Sequence, residues 1–151
     1  MRRVTADEVA AWARLRLDFI RQSPPPFDWD EATMEGEIAG WLAARLDRHD
    51  VAAFLAEVDG VPAGIGAITV YEVPPSPGVS GTEAYISSMY TEPRFRGRGV
   101  ARAVLGELLA FARAAGVRGR VWLRATQAGR PLYAAAGFTP RDYFMQLRLF
   151  D

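Results

Sequence analysis

The chain of 151 residues has no cysteine and one histidine. Without cysteine there is no disulfide, no thiolate zinc site and no acyl-cysteine intermediate. The lone His49 lies beside Asp47 and Asp50 and reads as a residue after a helix; no second histidine exists to build a metal site with it. Lysine is absent too, so all 18 basic residues are arginine, balanced by 18 acidic ones. Zero net charge argues against binding nucleic acid through overall charge. No apolar run is long enough to span a bilayer, and the opening residues Met1-Arg-Arg-Val-Thr-Ala-Asp-Glu8 carry no apolar signal core. The expectation is a cytoplasmic protein with no membrane and no nucleic-acid partner. No repeat, low-complexity tract or long linker interrupts the chain. With 50% hydrophobic and 24% charged residues, a single domain over residues 1–151 is expected.

What the chain does have is one glycine- and arginine-rich stretch, Met89-Tyr-Thr-Glu-Pro-Arg-Phe-Arg-Gly-Arg-Gly-Val-Ala101. It reads as a strand end, a tight turn and the first turn of a helix. Val100, Val104, Leu108 and Phe111 recur at helical spacing behind it. A helix start leaves backbone N–H groups without partners and carries partial positive charge. Gly97 and Gly99 let a ligand approach the backbone, and Arg94, Arg96 and Arg98 add charge. Such a place suits a pyrophosphate.

Before this stretch, Thr5-Ala-Asp-Glu8 forms a capping box for a helix carrying Val9, Trp12, Leu15 and Phe19 on one face. That helix ends near Gln22, because Ser23-Pro-Pro-Pro26 cannot continue it. A stiff loop with Phe27, Asp28 and Trp29 follows. Asp30 caps a second helix, running to about Arg48, on which Met34, Ile38, Trp41 and Leu42 share the core face. No strand is expected before this helix pair. Val51–Val58 alternates as a strand, and Asp59-Gly60 is a hairpin signal into a partner from about Pro62 to Glu72. In that partner, Gly64 and Gly66 permit close packing or a bulge. A proline-rich loop leads to a third strand, Thr82–Thr91.

After the glycine turn, a helix runs from about Arg98 to Ala115 and stops at Gly116. Arg120–Arg124 reads as a short strand, Gln127–Ala136 as a short helix, and Tyr143–Leu149 as a closing strand with Tyr143, Met145, Leu147 and Leu149 on one face. The predicted order is α-α-β-β-β-α-β-α-β. It makes an α/β chain with a mostly antiparallel mixed sheet, helices on both faces, and one parallel pair joined by a right-handed crossover.

This order and two motifs together resemble the GNAT superfamily of acyl-CoA-dependent N-acyltransferases. One motif is Arg94-Phe-Arg-Gly97-Arg-Gly99; the other is Leu132-Tyr133-Ala-Ala-Ala-Gly137-Phe138. The likeness extends from Val4 to Phe150. It implies acetyl-CoA as co-substrate, with its diphosphate on backbone N–H groups from Arg96 through Gly97, Arg98, Gly99 and Val100 to Ala101, and with Arg94 in the place of the family's Arg/Gln. It also implies that the third and fourth strands splay apart. The pantetheine arm would then hydrogen-bond the edge of Met89, Tyr90 and Thr91, and an N–H such as that of Tyr90 would polarise the acyl carbonyl. Many relatives carry Asn about seven residues before the helix Tyr; here that position is Thr126. Gly129 stands where relatives usually place Ala.

The resemblance gives Tyr133 the role of general acid toward the departing CoA sulfur; the other reading is a ring that packs under the sheet. Glu83 stands close to where relatives often place a catalytic carboxylate, Glu72 is a second candidate base, and a water chain with no single base remains a third. Ser87 and Ser88 either hold water or are simply small. Asp28 could hold a substrate ammonium, with Phe27, Trp29 and Tyr71 as pocket walls. The implied reaction is direct transfer, without a metal, of an acetyl group to a primary amine of a small molecule or a peptide. A noncatalytic acyl-CoA sensor on the same fold is the alternative. Nucleic-acid binding through Arg94, Arg96, Arg98 and Arg102 is weighed and set aside on net charge. Relatives often dimerise, which leaves a homodimer open.

Overall fold

A computed structural model describes residues 2–78 and 81–149. Five strands form one sheet in the order β1-β2-β3-β4-β5. They are β1 (Arg2–Arg3), β2 (Val51–Val58), β3 (Val61–Glu72), β4 (Thr82–Thr91) and β5 (Val121–Leu123). Four α-helices accompany them: α1 (Val9–Gln22), α2 (Glu31–Ala43), α3 (Val100–Ala114) and α4 (Arg130–Ala135). The β1–β2, β2–β3 and β3–β4 pairs are antiparallel, and β4–β5 is parallel. Among the described residues no helix is long and apolar enough to cross a membrane.

Local chemistry accounts for most boundaries. The Glu8 carboxylate accepts from the Thr5 N–H at 3.1 Å and from its hydroxyl at 2.7 Å, closing the first turn before α1. Asp30 caps α2 by accepting from the Thr33 N–H at 2.8 Å. Asp59 and Gly60, with φ of 51° and 76°, make the two-residue turn between β2 and β3. The helix α4 ends in a Schellman cap. The Gly137 N–H donates to the Ala134 carbonyl, the Phe138 N–H donates to the Tyr133 carbonyl at 3.0 Å, and the Phe138 ring meets the Tyr133 ring edge-on at 5.9 Å. The spacing Tyr-x-x-x-Gly-Phe is thus the spacing of a helix stop.

Two cores lie on opposite faces of the sheet. On one, Val100, Val104 and Leu108 of α3 pack against Ala52, Phe54, Ile68 and Ile86. On the other, Trp12 and Ala13 of α1 with Ile38 and Leu42 of α2 pack against Ala53, Leu55, Ile65 and Tyr90. The glycines of β3 set the closeness of α3. A Cβ on Gly64 would lie 2.5 Å from Val100 Cγ1, and one on Gly66 would lie 2.6 Å from Val104 Cγ1 and 2.9 Å from the Met89 sulfur. These are contacts that only a residue without a side chain permits.

The structure corrects the sequence reading in four places, the first being that α2 ends at Ala43 and not near Arg48. A short strand, β1, precedes the helix pair and pairs Arg2 and Arg3 with Leu55 and Phe54. Two residues are too few to show alternation, so the sequence carried no signal for it. The closing strand is not formed: residues 139–149 contain no strand, and Tyr143, Met145, Leu147 and Leu149 are exposed. Alternation makes a strand only where an edge is offered for pairing, and β5 supplies three residues. The segment instead touches β5 through side chains, with the Phe144 ring 5.7 Å from Trp122 and Gln146 Oε1 accepting from Arg124 at 3.3 Å. Phe138 belongs to the helix cap. Trp41 is exposed and lies beneath the Arg45 guanidinium at 4.7 Å, outside the core.

Candidate active site

The site is organised by a mismatch in strand length. Parallel pairing joins Ala84, Tyr85 and Ile86 of β4 to Val121, Trp122 and Leu123 of β5, and ends there. β4 continues to Thr91, so its edge from Ser87 to Thr91 has no partner in β5. A bulge falls in the same segment. Ser87 pairs with Ala67 and Tyr90 with Ile65, so Ser88 and Met89 together oppose Gly66. Ser88 adopts a left-handed φ of 61°. A bulge re-aims side chains. Beyond it Met89 packs with the α3 core and Tyr90 with the α1–α2 core.

At Thr91 the strand runs into a 3-10 turn, Pro93–Phe95, and then the glycine turn. Gly97 and Gly99 have φ of 77° and 78°, and nothing lies within 4 Å of where their Cβ atoms would be. Gly99 caps α3, and the first N–H groups of that helix have no intrahelical acceptors. Arg96 Nε donates to the Thr91 carbonyl at 3.0 Å, tying the turn to the strand end. Arg94 pairs with Glu92 at 3.0 Å, and its guanidinium and that of Arg98 both lie over the Phe95 ring. The open backbone turn, the free N–H groups and the exposed arginines make this the kind of place that suits an anionic group.

Tyr133 lies in the first turns of α4 and is buried, which pushes its phenol above the ordinary value and keeps it protonated at neutral pH. Its hydroxyl makes no hydrogen bond among the described residues. The ring fits because position 129 is glycine: a Cβ there would stand 2.9 Å from Tyr133 Cε2. The Thr126 hydroxyl accepts from the Gly129 N–H at 3.2 Å, so it fixes this loop and retains its own proton to donate. Tyr133 also borders an open trough of about 990 Å³ between β5, α4 and the segment around Tyr143.

On the face of β4 turned toward α1, side chains form a connected cluster. Glu83 and Tyr71 are cross-strand neighbours, and the Tyr71 hydroxyl donates to Glu83 Oε1 at 2.9 Å. The Trp122 indole N–H donates to the Tyr71 oxygen at 2.5 Å. Arg120 pairs with the same Glu83 oxygen at 3.1 Å. Burial and the neighbouring Glu83 hold the Tyr71 phenol above its usual value, although the Trp122 donor opposes this. Tyr85 stacks on Trp122 at 4.4 Å, and Arg124 Nε approaches its hydroxyl at 3.4 Å. Arg16 of α1 donates to the Ser88 hydroxyl at 2.7 Å.

The structure therefore gathers Met89, Tyr90 and Thr91 with Arg94, Arg96, Arg98 and the two turn glycines along one path, whereas Glu83 and Tyr71 pair near the start of β4, on the other side of the Ser88–Met89 bulge. Phe27 and Asp28 are exposed on the α1–α2 loop, where Trp29 is half-buried, and no hydrogen bond among the described residues ties Asp28 to the Glu83 cluster. Glu72 is exposed at the end of β3. Sequence reasoning passed over Arg16, Tyr85, Arg120, Trp122 and Arg124. The alternation Arg120-Val-Trp122-Leu-Arg124 carried a signal for three of them on one face. Arg16 carried none, because 72 residues separate it from Ser88.

No curated protein matches the chain in sequence. Solved structures do. A predicted acetyltransferase from Clostridium acetobutylicum, solved with acetyl-CoA, is 25% identical with a TM-score of 0.83, over 98% of this chain and 94% of that one. A GCN5-related N-acetyltransferase from Ralstonia eutropha is 26% identical with a TM-score of 0.78, over 97% and 96%. A glucosamine-6-phosphate N-acetyltransferase from Arabidopsis thaliana shares the fold, at 15% identity and a TM-score of 0.71, over 99% and 97%. The family model for the acetyltransferase (GNAT) family matches residues 5–138, and the chain belongs to that family.

Proposed function

We propose that the protein transfers an acetyl group from acetyl-CoA directly to a primary amine. The observation that carries this reading is the unpaired β4 edge from Ser87 to Thr91, which leads without interruption into the Gly97–Gly99 turn. A pantetheine arm is a chain of amides that can pair with such an edge as an added strand does. A diphosphate attached to it would reach the N–H groups from Arg96 to Ala101, with Arg94, Arg96 and Arg98 alongside. The acetyl carbonyl then falls near the N–H groups of Met89 to Thr91. Donors held in place there stabilise the oxyanion as it develops.

In the reaction, the amine nitrogen forms a bond to the acetyl carbon and the C–S bond breaks. The nitrogen releases a proton and the CoA sulfur takes one up. Tyr133 is the proton donor in this reading: its buried phenol stays protonated at neutral pH. Glu83 is the carboxylate toward which the ammonium proton leaves, directly or through water. Both its contacts fall on Oε1, so Oε2 has no partner among the described residues. Thr126 keeps a proton to donate to the pantetheine arm.

The test is release of free CoA thiol from acetyl-CoA across a panel of amines, amino acids, polyamines, aminoglycosides and peptides. Amine-dependent thiol release is the expected result. Acetyl-CoA binding without release on any amine would leave the noncatalytic sensor in its place.

A further inference from the structure

Near Tyr85 of β4 lie two guanidinium groups, Arg16 and Arg124, that pair with no carboxylate among the described residues. Arg16 is half-buried, and the contact recorded for its guanidinium is the Ser88 hydroxyl at 2.7 Å. Among the described residues it takes part in no ion pair. Burial draws its pKa below the ordinary guanidinium value, and the nearby Tyr85 partly opposes this. Arg124 Nε approaches the hydroxyl of the same Tyr85 at 3.4 Å and otherwise meets the neutral Gln146. Arg120 differs, because Glu83 neutralises it.

A cation withdrawn from water without a counter-charge is costly. A guanidinium presents five N–H donors in a planar fork that matches the paired oxygens of a carboxylate or phosphate. Ser88 occupies one of the donors of Arg16. The position is two residues beyond Ile86, where the pairing of β4 with β5 ends. The α3 face of the sheet is closed by the tight packing on Gly64 and Gly66. The α1 face is lined near this edge by the half-buried Glu83, Tyr85, Ser87 and Trp122, a row of polar and aromatic side chains and not a sealed core.

We infer that the acceptor amine carries an anionic group, a carboxylate or a phosphate, bound by Arg16, with Arg124 nearby at the Tyr85 hydroxyl. The inference rests on the acetyltransferase reading and adds the acceptor's class to it. Glu83 then draws the ammonium end and Arg16 the anionic end, so a zwitterion is oriented by both charges.

Matched pairs test this: L-lysine against cadaverine and L-phenylalanine against phenethylamine for a carboxylate, glucosamine 6-phosphate against glucosamine for a phosphate. Turnover is read as kcat/KM. Binding to CoA-saturated protein, read by calorimetry, needs no turnover. In at least one arm the anionic member should be favoured tenfold or more, and Arg16→Gln should collapse that ratio through KM, with Arg16→Lys restoring part of it. Equal or weaker binding of every anionic member, or an Arg16→Gln loss that falls equally on both members of a pair, would overturn the inference. Acetyl-CoA stabilisation is measured on each protein in parallel. If acetyl-CoA does not raise the melting temperature of the wild type, the cofactor reading falls and this one with it; if it does and no anion preference appears, this one falls alone.

Discussion

The two sides of β4 are built from different materials. Along its free edge and into the Gly97–Gly99 turn, the groups offered to a ligand are backbone amides, and the side chains that matter most are the missing ones. On the face toward α1, the groups are side chains drawn from four places: Tyr71 from β3, Glu83 and Tyr85 from β4, Trp122 from β5 and Arg16 from α1. In the proposed function, the backbone site would recognise what all acyl-CoA molecules share, and the assembled side chains what distinguishes one acceptor from another. The difference teaches why one half of the chemistry is written as a motif and the other is not.

The largest effect should come from breaking the backbone half. Gly97→Glu places a side chain and a negative charge at a position with φ of 77° in the space proposed for the diphosphate. Acetyl-CoA should then produce no shift in melting temperature; an unchanged shift would remove the diphosphate site from this turn. Tyr133→Phe should lower kcat by about 10²–10⁴-fold, the usual contribution of a positioned acid, while acetyl-CoA still binds. Unaltered turnover would make Tyr133 a packing residue. Its phenol is raised by burial, so any alkaline decline that Tyr133 causes should lie above the usual phenol range and be missing from the Phe variant.

Glu83→Gln tests the side-chain half. A fall of about 10²-fold in kcat with acetyl-CoA still bound would support Glu83 as the base. Unaltered turnover would shift the role to water. Gly66→Ala separates packing from chemistry. Its Cβ would collide with Val104, Leu108 and Met89, at a cost of about 1–3 kcal/mol read from denaturant unfolding. A neutral outcome would show that α3 can move off the sheet. The smallest effect belongs to Arg98→Ala. If backbone amides carry the diphosphate, acetyl-CoA affinity should weaken by only about 0.3–1 kcal/mol, as for other exposed charges near a helix start. A loss beyond tenfold would give the side chains a larger share.

The chain shows how local and long-range information divide. Hairpin and strand limits at Val51–Val58 and Thr82–Thr91 were legible because alternation and the Asp59-Gly60 turn are local. The glycine turn and the end of α4 at Gly137 were legible because each is a backbone conformation fixed by residues a few positions apart. The strand expected at Tyr143–Leu149 failed for the opposite reason. Its alternation is local, but its partner would have to be an edge that β5 offers for only three residues. Trp41 failed similarly, since helical spacing gave it a core face and the packing of α2 turned it toward Arg45 and solvent.

By itself the sequence determined where the chain turns, caps and bends, and so determined the open glycine turn at the start of α3 that is proposed to take a diphosphate. These features depend on φ, on N–H groups and on residues within one or two turns of each other. Only the tertiary structure decided that β5 stops short beside β4, that the Ser88–Met89 bulge sits at that gap, and that Arg16 reaches it from a helix 72 residues earlier. Those facts depend on which surfaces pack together. No short-range pattern encodes a distance between two side chains that meet only when the sheet and its helices have closed.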